Sequence, residues 1–260
     1  MQTQRDAPWD SLADASRAGQ VPYPHRRVSS FRPRRSALTA AQQHTWDRLW
    51  PVLGPEAVVG AGSVVGAGSK AGIGLLDTER WFGRSAPLVL EIGSGTGTST
   101  VAMAQAEPQV DVVAVEVYRR GLAQLIGRID REGITNIRLI HGDGLDVLEH
   151  MFRAEALTGV RVFFPDPWPK SRHHKRRLLS AGTIALIADR LRPGGVLHVA
   201  TDHLGYADWI AAVGDAEPRL SRVDAEKGGL PISVRRPITK YETKAHDAGS
   251  AVAELLWEKP

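Results

Sequence analysis

The sequence predicts an α/β fold: a doubly wound, mostly parallel Rossmann-like sheet flanked by helices, with a late antiparallel strand. Three observations carry that prediction. From Leu88 onward, short apolar runs alternate with longer stretches of helical periodicity, the signature of βαβ units. The first run leads into a glycine-rich turn, Glu91-Ile-Gly93-Ser-Gly95-Thr-Gly97, which opens a helix. Each of five runs then finishes at or beside a carboxylate, in the order Glu91, Glu116, Asp143, Asp166 and Asp202.

Taken in order, residues 1–36 lack sustained periodicity and place Arg26, Arg27, Arg32, Arg34 and Arg35 within ten positions, so a basic, disordered arm is expected. The remainder, 37–260, reads as a single domain. Thr39-x-x-Gln42 resembles a capping box, and Leu38, Trp46, Leu49 and Trp50 share one helical face, which predicts a helix over 39–50 ended by Pro51. At 57–74 a Gly/Ala/Ser-rich insertion repeats Val-Val-Gly-Ala-Gly-Ser twice, too few copies to stack a solenoid, and reads as a flexible connection without chemistry. Strands are predicted at 88–92, 110–115, 137–140, 160–164 and 196–200. Helices are predicted at 98–106, 118–132, 145–152, 178–191 and 203–213, with Arg192-Pro-Gly-Gly195 as a sharp turn into the fifth strand. Beyond 218 the chain reads as irregular until 252–257, the late antiparallel strand.

With 260 residues and 42% apolar content the chain can bury one substantial core. It contains no cysteine, which excludes disulfides, thiolate zinc sites and a cysteine nucleophile. Its amino terminus is polar and no apolar run is long enough to span a bilayer, so a cytoplasmic location is expected. The net charge of +4 and the pI of 9.6 are less telling than the clustering of the basic residues, which suits a polyanionic partner.

In an open parallel sheet the ligand crevice lies outside the carboxyl ends of the strands, so the five acids are expected to converge on one mouth, although any one of them would also serve to cap a helix. Gly93 and Gly95 let the backbone approach a nucleoside closely. Thr98 stands where a dinucleotide fingerprint wants glycine. Glu116 is placed to grip ribose hydroxyls, and Asp143, in His141-Gly-Asp-Gly144, to accept from an adenine amino group. A mouth lined with carboxylates suits a cationic cofactor better than a pyrophosphate, which points to S-adenosyl-L-methionine. On residues alone a nicotinamide oxidoreductase and a non-catalytic nucleotide or RNA binder remain open.

The segment Pro165-Asp-Pro-Trp-Pro-Lys-Ser-Arg-His-His-Lys-Arg-Arg177, beside Leu90-Glu-Ile-Gly-Ser-Gly-Thr-Gly97, resembles the bacterial tRNA (guanine-N7-)-methyltransferase family, a class I methyltransferase type. The similarity runs from about Ser30 to the carboxyl terminus and includes Thr239-Lys-Tyr-Glu242. The resemblance implies a methyltransferase sheet and methyl transfer from S-adenosyl-L-methionine to N7 of a variable-loop guanine in tRNA, with S-adenosyl-L-homocysteine as the product. It implies that Glu91, Glu116, Asp143 and Asp166 bind the methyl donor, with Asp166 also at the reacting centre. Lys170, Asp202, Thr239, Lys240, Tyr241 and Glu242 are implied to contact the substrate. Two departures stand out: Ser94 replaces a frequent cysteine, and Thr243-Lys-Ala245 replaces an Arg-Arg-Gly type sequence. No metal and no obligatory protein partner are expected, and the chain is expected to act as a monomer or homodimer.

The three prolines of this segment forbid helix and stiffen the loop that presents Asp166, Trp168 and Lys170. The cations Lys170, Arg172, Lys175, Arg176 and Arg177 are expected to neutralise phosphates. Trp168 is expected to pack under the loop rather than stack on the target base. His173 and His174 are expected to point apart, and Trp81 and Trp209 to be core or seam residues.

Overall fold

A computed structural model describes residues 37–55, 74–226, 228–237 and 251–260. The basic arm, nearly all of the insertion and the segment Thr239–Glu242 lie outside the described residues.

The chain enters through α1 (Ala40–Leu53), whose Thr39 side chain caps Gln42 N–H while Gln42 caps Thr39 N–H, the expected capping box. Pro51 does not end this helix, contrary to the prediction from sequence. It sits exposed in the last turn, where its missing N–H forfeits a single bond, and Gly54 N–H still reaches Trp50 O at 2.7 Å. A short α2 (Thr78–Phe82), capped by Asp77, was not anticipated.

Then follow β1 (Leu88–Ile92), α3 (Thr98–Ala106), β2 (Asp111–Glu116), α4 (Arg119–Glu132), β3 (Ile137–His141), α5 (Gly144–His150) and β4 (Leu157–Phe163). After a 3-10 helix over Ser171–Arg176 come α6 (Ala181–Arg190), β5 (Leu191–Thr201), α7 (Leu204–Asp215), β6 (Ser221–Arg222) and β7 (Ala253–Glu258). The strand order is β3-β2-β1-β4-β5-β7-β6, parallel from β3 through β5. The last strand, β7, runs antiparallel against β5, as expected. The fifth strand starts at Leu191, earlier than predicted, because residues 192–195 bulge out between the pairs Leu157↔Leu191 and Gly159↔Val196 instead of forming a separate turn. The sixth strand, two residues long, lies in a stretch that reads as irregular.

Both faces of the sheet are covered, which is why β1 and β2 are buried at every position. Leu90, Val113, Val160 and Leu197 pack toward α5, α6 and α7, whose Val147, Ile184 and Ile210 meet them. Val89, Val112 and Val196 pack with Leu122, Leu125, Ile126 and Ile129 of α4, and with Trp46 of α1. The apolar stripe of α4 repeats at helical spacing, so the helix has one face to bury and one for solvent. The order reverses between β1 and β4, and the crevice of a doubly wound sheet opens at such a reversal.

Candidate active site

The turn after β1 is built by backbone geometry. Gly95 sits at φ +57, where a Cβ would be strained, and its N–H donates to Glu116 Oε2 at 2.8 Å. Gly93 N–H reaches Val115 O at 2.8 Å, so the loop is laced to the end of β2. Gly121, in the first turn of α4, lies directly beneath: a Cβ there would stand 2.5 Å from Gly95 O. Only glycine lets helix and loop approach this closely, and nothing local in the sequence marks Gly121 for that role.

Glu91 lies one residue inside the rim, on the last turn of the pleat in β1. It is 2% exposed; Thr100 Oγ1 donates to its Oε1 at 2.9 Å, while Oε2 is buried without a partner. Burial raises its pKa to about 7, outweighing the neighbouring Arg161 cation and the Thr100 hydroxyl. Glu116 closes β2 and accepts from Gly95 N–H through one oxygen and from Tyr118 N–H, at 2.8 Å, through the other. Burial raises its pKa against those bonds. Its carboxylate has about four acceptor sites, more than these backbone donors, Val117 N–H included, can fill, which leaves room for a hydroxyl donor. Asp143 does cap α5, its Oδ1 accepting from Leu145 N–H at 2.9 Å. Asp166 and Asp202 are exposed after β4 and β5, and α7 is capped by His203 rather than by Asp202. The parallel strands thus bring all five acids to one rim, with Glu91 and Asp166 flanking the reversal between β1 and β4. An orphaned buried carboxylate oxygen among acids is a fitting partner for a cationic ligand such as S-adenosyl-L-methionine.

The proline loop begins and ends on strained aromatic residues: Phe164 at φ +51 and Trp168 at φ +43. Such conformations cost about 1–3 kcal/mol each and persist only where surroundings impose them. Trp168 is buried at 7% exposure, under the loop as expected, with the Arg176 guanidinium 5.0 Å from its ring centre and His173 at 5.8 Å. His174 instead faces Trp209, at 6.0 Å, so the two histidines diverge. Trp81 is buried, and Trp209 is a seam residue whose Nε1 donates to Leu179 O.

The basic block divides, which its sequence does not reveal. Arg177 is 7% exposed, donates from Nε to Pro167 O at 3.0 Å, and lies over the rings of Tyr206 and Trp209 at 4.9 and 5.2 Å. It braces the loop and is turned away from any phosphate, contrary to expectation. Lys170, Arg172 and Lys175 are exposed beside Asp166 in sequence.

A buried polar row, also missed from sequence, crosses the sheet beneath the rim. Arg161 of β4 lies between Glu91 and His198 in register and is fully buried. Its Nη2 meets Glu107 Oε2 at 2.7 Å and Ser233 O at 3.1 Å. Burial, with the Arg161 and Arg236 cations, lowers the His198 pKa to about 3, so the ring is neutral. A charged residue within Val160-Arg-Val-Phe163 reads as an outward-facing strand position. Among the described residues, Glu107 at the end of α3 and the chain at Ser233 close over it and make it interior.

Residues 85–255 match the family model described as "Putative methyltransferase". The chain is 69% identical over 235 residues to a tRNA (guanine-N(7)-)-methyltransferase of Mycobacterium sp. (strain KMS), covering 90% of this chain and 82% of that protein. It is 68% identical over 247 residues to the protein of the same name from Mycolicibacterium vanbaalenii, covering 94% and 92%. Among solved structures, the 16S rRNA methyltransferase KamB aligns at TM-score 0.48 and 18% identity, over 76% of this chain and 99% of that one.

Proposed function

The chain belongs to the tRNA (guanine-N(7)-)-methyltransferase family, and from that premise we propose how its own residues transfer a methyl group from S-adenosyl-L-methionine to N7 of a guanine in tRNA. The observation that carries the proposal is the pairing, at one rim, of a buried carboxylate with a free oxygen and a stiff loop that offers one exposed acid among exposed cations.

The donor, when bound, supplies an electrophilic methyl group on a positively charged sulfur. Glu91 Oε2 accepts from its cationic part, Glu116 from the ribose hydroxyls, and Asp143 from the adenine amino group, while Gly93 and Gly95 give the backbone room. Guanine N7 brings its own lone pair, so no side chain has to remove a proton before attack. The N7–methyl bond forms as the sulfur–methyl bond breaks, and the electron pair leaves with the sulfur. Alignment supplies most of the acceleration, for which effective molarities of roughly 10⁵–10⁸ M are available. Positive charge develops on the guanine during transfer. Asp166, aimed by its proline-fenced loop, accepts from the N1 or N2 edge and stabilises that charge. Asp202 stands at the neighbouring strand end as a second substrate contact. Lys170, Arg172 and Lys175 hold phosphates, and Thr239, Lys240, Tyr241 and Glu242 are further substrate contacts.

Among the described residues no helix is long and apolar enough to cross a membrane. With tRNA as partner, we place the enzyme in the cytoplasm, as a monomer or homodimer. The test is transfer of labelled methyl from S-adenosyl-L-methionine to unmodified bulk tRNA, followed by chemical cleavage at 7-methylguanosine. Labelled fragments ending at one variable-loop guanine are expected. Label on another base, or none, overturns the reading.

A further inference from the structure

We propose that Arg236 is a positioning residue for methyl transfer: it locks the strained Phe164, and through it the loop that carries Asp166. The inference rests on the assignment of Asp166 to the reacting centre.

Phe164 is the hinge between β4 and Pro165-Asp166, and an aromatic residue at φ +51 must be held there by its neighbours. Phe164 packs against the cluster of Met103, Phe163 and Ala200, and two polar contacts among the described residues orient it. Its N–H donates to Ala200 O at 2.8 Å, and the Arg236 guanidinium lies 5.1 Å from its ring centre and 5.9 Å from that of Phe163. Arg236 is itself fixed by an ion pair with Glu254, and Glu254 stands opposite Ala200 in the β5–β7 register. The guanidinium, its carboxylate and the carbonyl that receives Phe164 N–H therefore belong to one local frame. The chain leading to Arg236 is anchored as well: Ser233 N–H donates to Glu107 Oε1 at 2.5 Å, and Ser233 O accepts from Arg161.

The Arg236 side chain is 6% exposed and faces two aromatic rings and a carboxylate. That environment does not suit a phosphate contact. A flat, always-charged guanidinium can stack on a ring while its edge pairs with a carboxylate, which a lysine cannot do. The cation over the Phe164 ring opposes rotation of that side chain, and the residue it holds is joined directly to Pro165 and Asp166.

The test is a double-mutant cycle between Arg236→Met and Phe164→Gly, read as kcat, KM for donor and for tRNA, and melting temperature. Methionine keeps the apolar stem and removes the cation; glycine relieves the positive φ and removes the ring. Arg236→Met is expected to lower kcat by about 10- to 100-fold, as misalignment by an ångström does, with both KM values within about threefold. In the Phe164→Gly background the same substitution is expected to add nothing to the loss of kcat. Glu254→Gln, at a half-exposed site, reaches the same frame with less risk to folding and is expected to lower kcat in the same direction. Independent, multiplying effects of Arg236→Met and Phe164→Gly would overturn the inference. So would an unchanged kcat, or a rise in KM for tRNA with kcat preserved, which would make Arg236 an RNA contact. Asp166→Asn, measured alongside, separates the two readings. If it leaves kcat unchanged, the assignment of Asp166 fails; if it lowers kcat while the cycle shows independence, only the role of Arg236 fails.

Discussion

Replacing Gly121 by alanine tests the close seat of the glycine loop on α4. The added Cβ would lie 2.5 Å from Gly95 O and 3.1 Å from Gly95 C, and both are backbone atoms, so no rotamer change relieves the contact. To reach even 3.0 Å, the carbonyl must retreat by about 0.5 Å, the extra group behaving as overpacking in a tight core. That carbonyl belongs to the residue whose N–H donates to Glu116 Oε2 at 2.8 Å. A hydrogen bond to a charged group contributes about 1.5–3 kcal/mol, so loosening it while shifting the loop should raise the donor Kd by about 10- to 100-fold. Overpacking should cost about 1–3 kcal/mol of stability, offset in part by the better helix propensity of alanine. Gly127→Ala in the same helix is the control, because its Cβ would meet nothing within 4 Å. It should gain up to about 1 kcal/mol and leave binding alone. Titration calorimetry with S-adenosyl-L-methionine and thermal melting of both variants decide the matter. A wild-type Kd in folded Gly121→Ala would refute the reasoning.

Asp166→Asn should lower kcat by roughly 10- to 100-fold, the worth of one charged hydrogen bond, with the melting temperature unchanged because Asp166 is exposed. Neutralising Lys170, Arg172 and Lys175 together should flatten the slope of log affinity for tRNA against log salt by about 2 to 3, and an unaltered slope would place the phosphate contacts elsewhere. Arg177→Ala should leave that slope alone and destabilise the protein by about 1–3 kcal/mol, since it loses a hydrogen bond and two ring contacts. Glu91 gives a pH signature. Its folded pKa, about 7, lies above the ordinary 4.5, so its contribution to the stability of the free protein is fully present below pH 4.5 and is lost as pH rises through 7. A cationic donor needs the carboxylate, so affinity should rise with pH over that window, by up to about tenfold per unit. Glu91→Gln should flatten this rise, and an equally steep profile in that variant would reassign it.

Much of the fold was legible because its signals are local. Alternation of short apolar runs with helical periodicity marks βαβ units, and strand-end acids must share a rim once the strands are parallel. The capping box at Thr39 was legible for the same reason, being complete within four residues. Pro51 did not stop the helix because the cost of a proline depends on where in the helix it falls, and in the last turn, two residues before buried Leu53, it forfeits a single bond.

By itself, the sequence determined the doubly wound sheet, the glycine turn, the acids at the strand ends and the proline-stiffened loop after β4. Tertiary structure alone decided which members of that loop face outward. Arg177 and Lys175 are two positions apart with the same charge, yet one is buried over Tyr206 and Trp209 and the other is exposed. It also decided that Arg161 and His198 are interior, that Gly121 must lack a Cβ, and that Arg236 meets Phe164 across more than seventy residues of chain. The physical reason is common to all four. A side chain's role is set by what packs against it, and here the packing partner comes from a distant element that no local pattern specifies.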